Sequence, residues 1–256
     1  MLNTLVMGAA ADATAREARV PLDERIAQAE AARAVSEHTL RPQLDTVGII
    51  AEIKRASPSK GPLSDIPDPV WLAGQYEAGG ASAISVLTES RQFLGSLDDL
   101  VSVAGAVDIP VLRKDFLTTA YQVVEARAHG ASMVLLIMAA LDDPTAATLL
   151  AEARRWGMSA LVEAHNADEV ARAVDLGADI IGINARDLNT FEVDISLFGR
   201  LRGMIPSGVV AVAESAVSVP EDVTRYRNEG ADYVLVGEAL VTGANPQKTV
   251  REYLAS

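Results

Sequence analysis

The 256-residue chain contains no cysteine. That excludes a disulfide framework, a thiolate nucleophile and a cysteine-ligated zinc. Histidine is nearly absent as well. His38, His129 and His165 lie far apart and form no HxxxH pair, so no histidine-based metal site is expected. Positive charge is in deficit: 22 Lys and Arg face 35 Asp and Glu, giving a net charge of −13. So acidic a chain argues against nucleic acid or an anionic membrane as partner. No apolar run reaches the ~18 residues of a membrane-spanning helix. The opening stretch, MLNTLVMGAAADATAREARV, has no basic segment ahead of its apolar residues and does not read as a secretory signal. A soluble cytoplasmic protein is expected. Composition is otherwise ordinary, with 49% hydrophobic and 22% charged residues, enough at this length to bury a sizeable core.

Lysine is the scarce basic residue. Only Lys54, Lys60, Lys114 and Lys248 occur, and arginine supplies the rest. A compositional bias accounts for the scarcity but not for the placement. Lys54 and Lys114 each follow an apolar run that reads as a buried strand. A lysine ammonium is a compact charge whose proton affinity shifts readily on burial, which arginine's does not.

A repeated phrase organises the chain after residue 47. Segments 79–87 (GGASAISVL), 129–137 (HGASMVLLI), 176–184 (LGADIIGIN) and 229–237 (EGADYVLVG) each join Gly-Ala to a short apolar run. The glycine suits the residue just past a helix, and the run is too short and too uniformly apolar for an amphipathic helix. Each phrase therefore reads as helix end, tight turn and buried parallel strand. Runs at 47–53, 109–113, 158–164 and 208–214 bring the count to eight strands. Helical stretches at 68–79, 119–130, 143–157, 166–177 and 219–230 separate them, several opening on a capping residue or a first-turn proline. Eightfold βα alternation predicts a (β/α)8 TIM barrel over 47–256. A doubly wound sheet would be expected to carry a glycine-rich loop after its first strand, and KRASPSKG is not one. Residues 1–46 stand outside the repeat. They predict a helical extension packed on the barrel, two helices divided at Pro21, with the Glu and Arg of 16–37 on solvated faces. Trp71 and Trp156 are expected on core faces of their helices, His129 as a helix C-terminal cap and His165 as an ordinary loop residue.

Barrel chemistry sits at the C-terminal ends of the strands. In strand order those ends carry Glu52, Lys54 and Ser57, then Thr88 and Glu89, then Lys114 and Asp115. The fourth carries no charge at once. The fifth has Glu163 and His165, the sixth Asn184, Arg186 and Asp187, the seventh Glu214 and Ser215, the eighth Gly237 and Glu238. Asp115, Asp187, Glu89 and Glu238 fit helix caps or loop charges. Glu52, Lys54, Glu163 and Glu214 do not, because each lies in or at the edge of an apolar run. Burying an unpaired charge costs several kcal/mol, so these groups must pair with one another or with a ligand. Glu52 and Lys54, two apart, point to one face of the first strand. Two lysines in an acidic chain suggest a small anionic ligand. The small residues after the seventh and eighth strands leave backbone N–H groups where barrels bind phosphate.

Seven stretches in register, IIAEIKRASPSKG, ISVLTESRQFLGS, PVLRKDF, LVEAH, IGINARDL, VAESAV and LVGEAL, resemble the indole-3-glycerol phosphate synthase family over about residues 47–241. The N-terminal extension is similar too. The resemblance implies cofactor-free, metal-free ring closure of 1-(2-carboxyphenylamino)-1-deoxyribulose 5-phosphate, with loss of CO2 and water, in tryptophan biosynthesis. It implies Lys114 as general acid at the ribulose carbonyl, Glu163 as its acid–base partner, and Lys54 as a second cation sharing that role. Glu52, Asn184 and Glu214 become orienting residues. Ser57 and Arg186 become substrate-binding, Phe93 and Phe116 apolar walls near the anthranilate ring, and Ser215, Ala216, Gly237 and Glu238 the phosphate site. A small phosphosugar-anthranilate is the implied partner, and a monomer or weak oligomer is expected. Two departures fall on the phosphate side: Ala216 stands where the family has glycine, and Ala239 where it often has serine. A Schiff-base aldolase using Lys114 or Lys54 would leave Arg186 and the paired glutamates idle. A non-catalytic phosphosugar-binding barrel would be expected to lose the acid–base set before the phosphate site.

Overall fold

Every apolar run becomes a strand, and the four that follow a Gly-Ala phrase begin two residues after its alanine. The protein is described from a computed structural model covering residues 1–36, 40–43 and 46–256; His38, with its flanking residues, lies outside the described residues. The strands are β1 (Gly48–Ile53), β2 (Ala83–Leu87), β3 (Val111–Lys114), β4 (Met133–Ile137), β5 (Ser159–Ala164), β6 (Ile180–Asn184), β7 (Val210–Glu214) and β8 (Tyr233–Val236). They close in the order β1-β8-β7-β6-β5-β4-β3-β2, each parallel to its neighbours, as the sequence predicts for a (β/α)8 barrel. The repeated glycines work as helix stops. Gly80, Gly130, Gly177 and Gly230 all have positive φ, and the following alanines donate back to the last helical turn, as in Ala131 N–H to Ala126 O at 3.0 Å.

The helices are α1 (Leu2–Glu17), α2 (Leu22–Ala31), α3 (Pro69–Gly79), α4 (Leu97–Ala106), α5 (Ala120–Ala128), α6 (Asp143–Arg155), α7 (Ala167–Asp175), α8 (Leu197–Leu201), α9 (Pro220–Asn228), α10 (Glu238–Val241) and α11 (Pro246–Leu254). Side-chain caps start several of them: Asp68 accepts from Trp71 N–H, Asp142 from Thr145 N–H and Asn166 from Glu169 N–H. Thr119 and Gln122 form a reciprocal capping box on α5.

Strand alternation divides the core in two. Outward residues such as Ile49, Val86, Val134, Ile181 and Val234 pack beneath the helices. Inward residues such as Ile50, Leu112, Leu135, Leu161, Val212 and Leu235 fill the barrel. That inner cluster continues into Leu2, Leu5 and Ala9 of α1, which lies across the mouth, and into Leu40 at the opposite end. There the Tyr233 hydroxyl donates to Arg41 O and accepts from Gln43 Nε2.

Three features differ from expectation. Residues 56–62 form a small antiparallel hairpin, Ala56–Ser57 against Gly61–Pro62, rather than a plain turn. Trp71 is exposed, because the buried stripe of α3 runs through Leu72, Ala73, Tyr76 and Gly79 and leaves residue 71 one step outside it. Arg16 and Arg25 are not on solvated faces. Arg16 makes a two-pronged pair with buried Glu125 at 2.7 and 2.9 Å, and Arg25 lies 3.8 Å from the same carboxylate. Glu125 also accepts from Arg113, a fully buried arginine on the outer face of β3 that reaches Asp115 as well. The extension is thus tied by charge to the strand that ends in Lys114. His129 caps α5 as expected, its Nδ1 at 2.7 Å from Glu125 O. Trp156 packs partly buried against the core.

Candidate active site

The inward phase of each strand continues past the apolar layers into charge. Glu52 and Lys54 extend the inward row of Ile50. Lys114 extends that of Leu112, Glu163 that of Leu161, and Glu214 that of Val212. Register sets the neighbours: Glu163 lies beside Gly182, and Asn184 beside Glu214. One cavity at the mouth is lined by every site residue the sequence nominates, from Glu52, Lys54 and Ser57 on β1 and its hairpin to Gly237 and Glu238 at α10.

Its centre is an ammonium between two carboxylates. Lys114 Nζ is 3.5 Å from Glu163 Oε2 and 3.6 Å from Glu214 Oε2. Each glutamate is about as buried as the core around it. Burial pushes Lys114 toward the neutral form, but the charges of Glu163, Glu214 and Glu52 outweigh it and hold the ammonium well above its usual range. Burial likewise pushes the Glu163 carboxyl up, and Lys114 together with His165 more than reverses that, leaving Glu163 ionised. Glu214 goes the other way: burial and repulsion from Glu163 exceed the help from Lys114 and raise it. Two buried carboxyls beside one ammonium therefore hold one proton between them. Neither carboxyl makes a well-aligned hydrogen bond among the described residues, which leaves both free to take a substrate's polar groups.

Glu52 and Lys54 form a second pair at 2.5 Å. Burial pushes the Glu52 carboxyl up, and Lys54 and Lys114 pull it below its usual range. Two glycines make room for these carboxylates. A Cβ at Gly182 would stand 2.1 Å from Glu214 Oε1, and one at Gly237 would stand 2.5 Å from Glu52 Oε1. The open backbone at 237 therefore serves the charged pair as well as any ligand above it.

The walls differ in character. Phe93 and Phe116 meet at 6.3 Å between ring centroids, tilted by 44°, and Leu5 of α1 joins them, making one side apolar. The opposite side is polar. Asn184 Oδ1 accepts from Ser215 Oγ at 2.8 Å and from Arg186 N–H at 3.0 Å, and Arg186 Nη1 reaches Phe191 O. At the rim Lys60 Nζ meets Glu238 Oε1 at 2.6 Å. Ser215 and Ala216 both have left-handed backbone, φ 67° and 58°.

Several polar strand-end residues hold loops. Glu89 accepts the backbone N–H groups of residues 91–93, and Asp187 those of Asn189 and Thr190. Asp115 accepts from Thr88, Arg113 and Phe116 N–H. Sequence reasoning missed His165, which is no ordinary loop residue. It lies two positions after Glu163, in the same inward phase, and its ring meets that carboxylate. Lys60 and Leu5 were missed too; the basic hairpin was a signal for the first, and the apolar stripe of α1 carries none for the second. Among the described residues no group of three or more His, Asp or Glu is arranged to hold a metal, and no helix is long and apolar enough to cross a membrane.

Comparison with known proteins bears on this geometry. The sequence model of the family described as indole-3-glycerol phosphate synthase matches residues 2–253. The chain is 53% identical over 256 residues to "Indole-3-glycerol phosphate synthase 1" of Streptomyces coelicolor, spanning 100% of this chain and 95% of that one. It is 55% identical over 255 residues to an indole-3-glycerol phosphate synthase of Leifsonia xyli, spanning 99% and 97%. Among solved structures it is similar to 3-hexulose-6-phosphate synthase, with a TM-score of 0.63 at 18% identity, covering 82% of this chain and 99% of that one. It is also similar to N-acetylmannosamine-6-phosphate 2-epimerase of Clostridium perfringens, with a TM-score of 0.61 at 16% identity, covering 80% and 90%. These two likenesses concern the fold alone.

Proposed function

Because the chain belongs to the indole-3-glycerol phosphate synthase family of tryptophan biosynthesis, we propose that its mouth cavity closes the indole ring of 1-(2-carboxyphenylamino)-1-deoxyribulose 5-phosphate in these roles. The aromatic carbon bearing the carboxylate attacks the ribulose carbonyl while Lys114 gives a proton to the developing alkoxide. CO2 departs and its electron pair restores the ring. The new hydroxyl is then lost as water, with an acid protonating it and Glu163 removing the proton that completes the indole. The sum is loss of CO2 and water with net uptake of one proton, which makes the enzyme a carboxy-lyase.

A resting ammonium held above its usual range is always loaded with its proton at neutral pH, and a developing alkoxide is basic enough to take it. Lys54, paired with Glu52, is the second cation and shares the acid role. Asn184 and Glu214 orient the sugar hydroxyls and the lysine. Ser57 and Arg186 bind substrate polar groups, and Phe93 and Phe116 face the anthranilate ring. Ser215, Ala216, Gly237 and Glu238 form the phosphate site, chiefly through backbone N–H groups. Residues 1–46 act as a helical extension on the catalytic barrel of 47–256. The reaction uses no cofactor and no metal, and the protein works in the cytoplasm as a monomer or weak oligomer, without nucleic acid or membrane.

The observation that carries this reading is Lys114 set between two buried glutamates beside a second Lys–Glu pair, under one apolar and one polar wall. Incubation with the carboxyphenylamino substrate should produce indole fluorescence, unchanged by EDTA. Activity lost in EDTA and restored by a divalent ion would point to a different enzyme, and borohydride inactivation with substrate would favour a Schiff base.

The phosphate loop offers a separate test. With φ at 58°, Ala216 occupies backbone that costs a residue with a Cβ about 1–2 kcal/mol relative to glycine. Ala216→Gly should relieve that cost and let the loop approach the anion. KM should fall several-fold with kcat nearly unchanged, the pattern of improved uniform binding, since Ala216 makes no contact with Lys114 or Glu163 among the described ion pairs and hydrogen bonds. Steady-state kinetics checks this; a lower kcat would mean that the loop is adapted to alanine.

A further inference from the structure

Lys114 sits almost symmetrically between Glu163 and Glu214, yet only one of the two can be the ionised base. Something must break the symmetry, and one side chain touches one carboxylate only. His165 Nε2 lies 3.3 Å from Glu163 Oε1. Its Nδ1 lies 3.2 Å from Glu169 Oε2, the same oxygen that accepts the His165 backbone N–H at 2.8 Å. Glu169 is held in turn by Asn166 Nδ2, which donates to its other oxygen at 2.7 Å. Both ring nitrogens therefore face carboxylates. A neutral imidazole donates from one nitrogen and would turn a lone pair on the other acid; the imidazolium donates to both. The ring is nearly buried and is not among the groups lining the cavity.

We propose that His165 is a positioning residue of the acid–base set: locked as an imidazolium between Glu169 and Glu163, it places the shared proton of the two buried glutamates on Glu214 and leaves Glu163 the ionised base. The proposal rests on the reading of Glu163 given above. The surroundings agree. Burial lowers the affinity of the His165 ring for its second proton, but the close approach of Glu163 and Glu169, with their charges, pushes it up to about 10. The other charged groups that feel or face this cluster are Lys114 of β3, which pairs with the far oxygen of Glu163, Glu214 of β7, and Asp187 in the loop after β6. Asp187 favours the cation, Glu214 is neutral while it carries the shared proton, and Lys114 opposes the cation without touching the ring.

The sign follows directly. Without the cation, Glu163 loses its advantage over Glu214, holds a proton more readily, and the acidic limb of kcat rises into the neutral range. His165→Asn should therefore lower kcat about tenfold at pH 6 but only within about threefold at pH 8.5, with KM little changed. Glu169→Gln, which removes the clamp and leaves the histidine, should move the same limb upward by a smaller amount. A loss of equal size at both pH values would mean a structural role only and would overturn the proposal. The charge state is tested without turnover: 13C and 15N shifts of the His165 ring in the intact protein, assigned against His165→Asn, should be those of an imidazolium from pH 6 to pH 8.5. A ring titrating near its ordinary 6.5 would overturn the proposal even if the variant failed to fold. If instead Glu163→Gln kept full turnover, the role of Glu163 would fall, whatever the ring's charge.

Discussion

Replacing Lys114 by alanine should lower kcat by at least ~10²-fold while KM changes far less, the range for loss of a general acid. The expected size follows from three features. Among the described residues no other ammonium lies between Glu163 and Glu214; Lys54 is committed to Glu52 at 2.5 Å. The loss also disturbs the base. With Lys114 gone, two carboxyls that are each about 1% exposed face each other without their cation, and the pair takes up a further proton. Acid and base are thus impaired together, so raising the pH will not restore the rate as it would if only the base had been shifted. Finally, the groups proposed to bind substrate, the phosphate loop, the phenylalanines and Arg186, make no ion pair with Lys114 among the described residues, so KM should be largely spared. In the unaltered enzyme Lys114 contributes no alkaline limb between pH 7 and pH 10, because the three glutamates hold it protonated throughout. Initial rates of indole formation, with a thermal melt to show that the variant is folded, provide the test. A kcat within tenfold of the parent would make Lys54 the principal acid.

Much of this arrangement was legible in the sequence because strand phase is legible. A charged residue two positions after an inward apolar one must also point inward, which paired Glu52 with Lys54, while charge at the ends of apolar runs brought in Lys114, Glu163 and Glu214. The glycine at each Gly-Ala phrase marked the helix stops for the same reason: left-handed backbone has a residue preference that can be read directly. The misses are of another kind. His165 obeys the same phase rule, but its meaning depends on Glu169, four residues on and across a helix cap, and a partner across a turn is not a period. Arg16 and Arg25 read as solvated because helix faces were judged from composition. Their partner, Glu125, lies more than ninety positions away and meets them only once the extension packs against α5. Trp71 failed by one step of helical phase. Local rules recovered the positions; pairings set by tertiary contact had to be seen.

Glu163→Gln should lower kcat by about 10²–10³-fold at neutral pH, again with a modest change in KM. The substitution keeps the shape and removes the charge, so the buried site suffers little beyond loss of the base. Glu214 is the only other carboxyl in ion-pair contact with Lys114 among the described residues, and burial and repulsion from Glu163 make it the readier of the two to hold a proton. Once Glu163 is neutral that repulsion ends, Glu214 ionises more easily and pairs with Lys114. It reaches Lys114 from β7 rather than from β5, so it restores charge balance without taking over the proton path proposed for Glu163. Glu214→Gln should accordingly cost less, about tenfold, since it removes an orienting group and leaves the base ionised. The two chemical steps can then be separated in a single turnover. On the proposed roles, ring closure and decarboxylation depend on Lys114 and should proceed, whereas dehydration should wait for the base. In Glu163→Gln, CO2 should therefore be released faster than indole forms, while in the parent the two keep closer pace. If both products instead slowed together with one rate constant, Glu163 would act at or before ring closure, and the base for dehydration would have to be sought at Glu52.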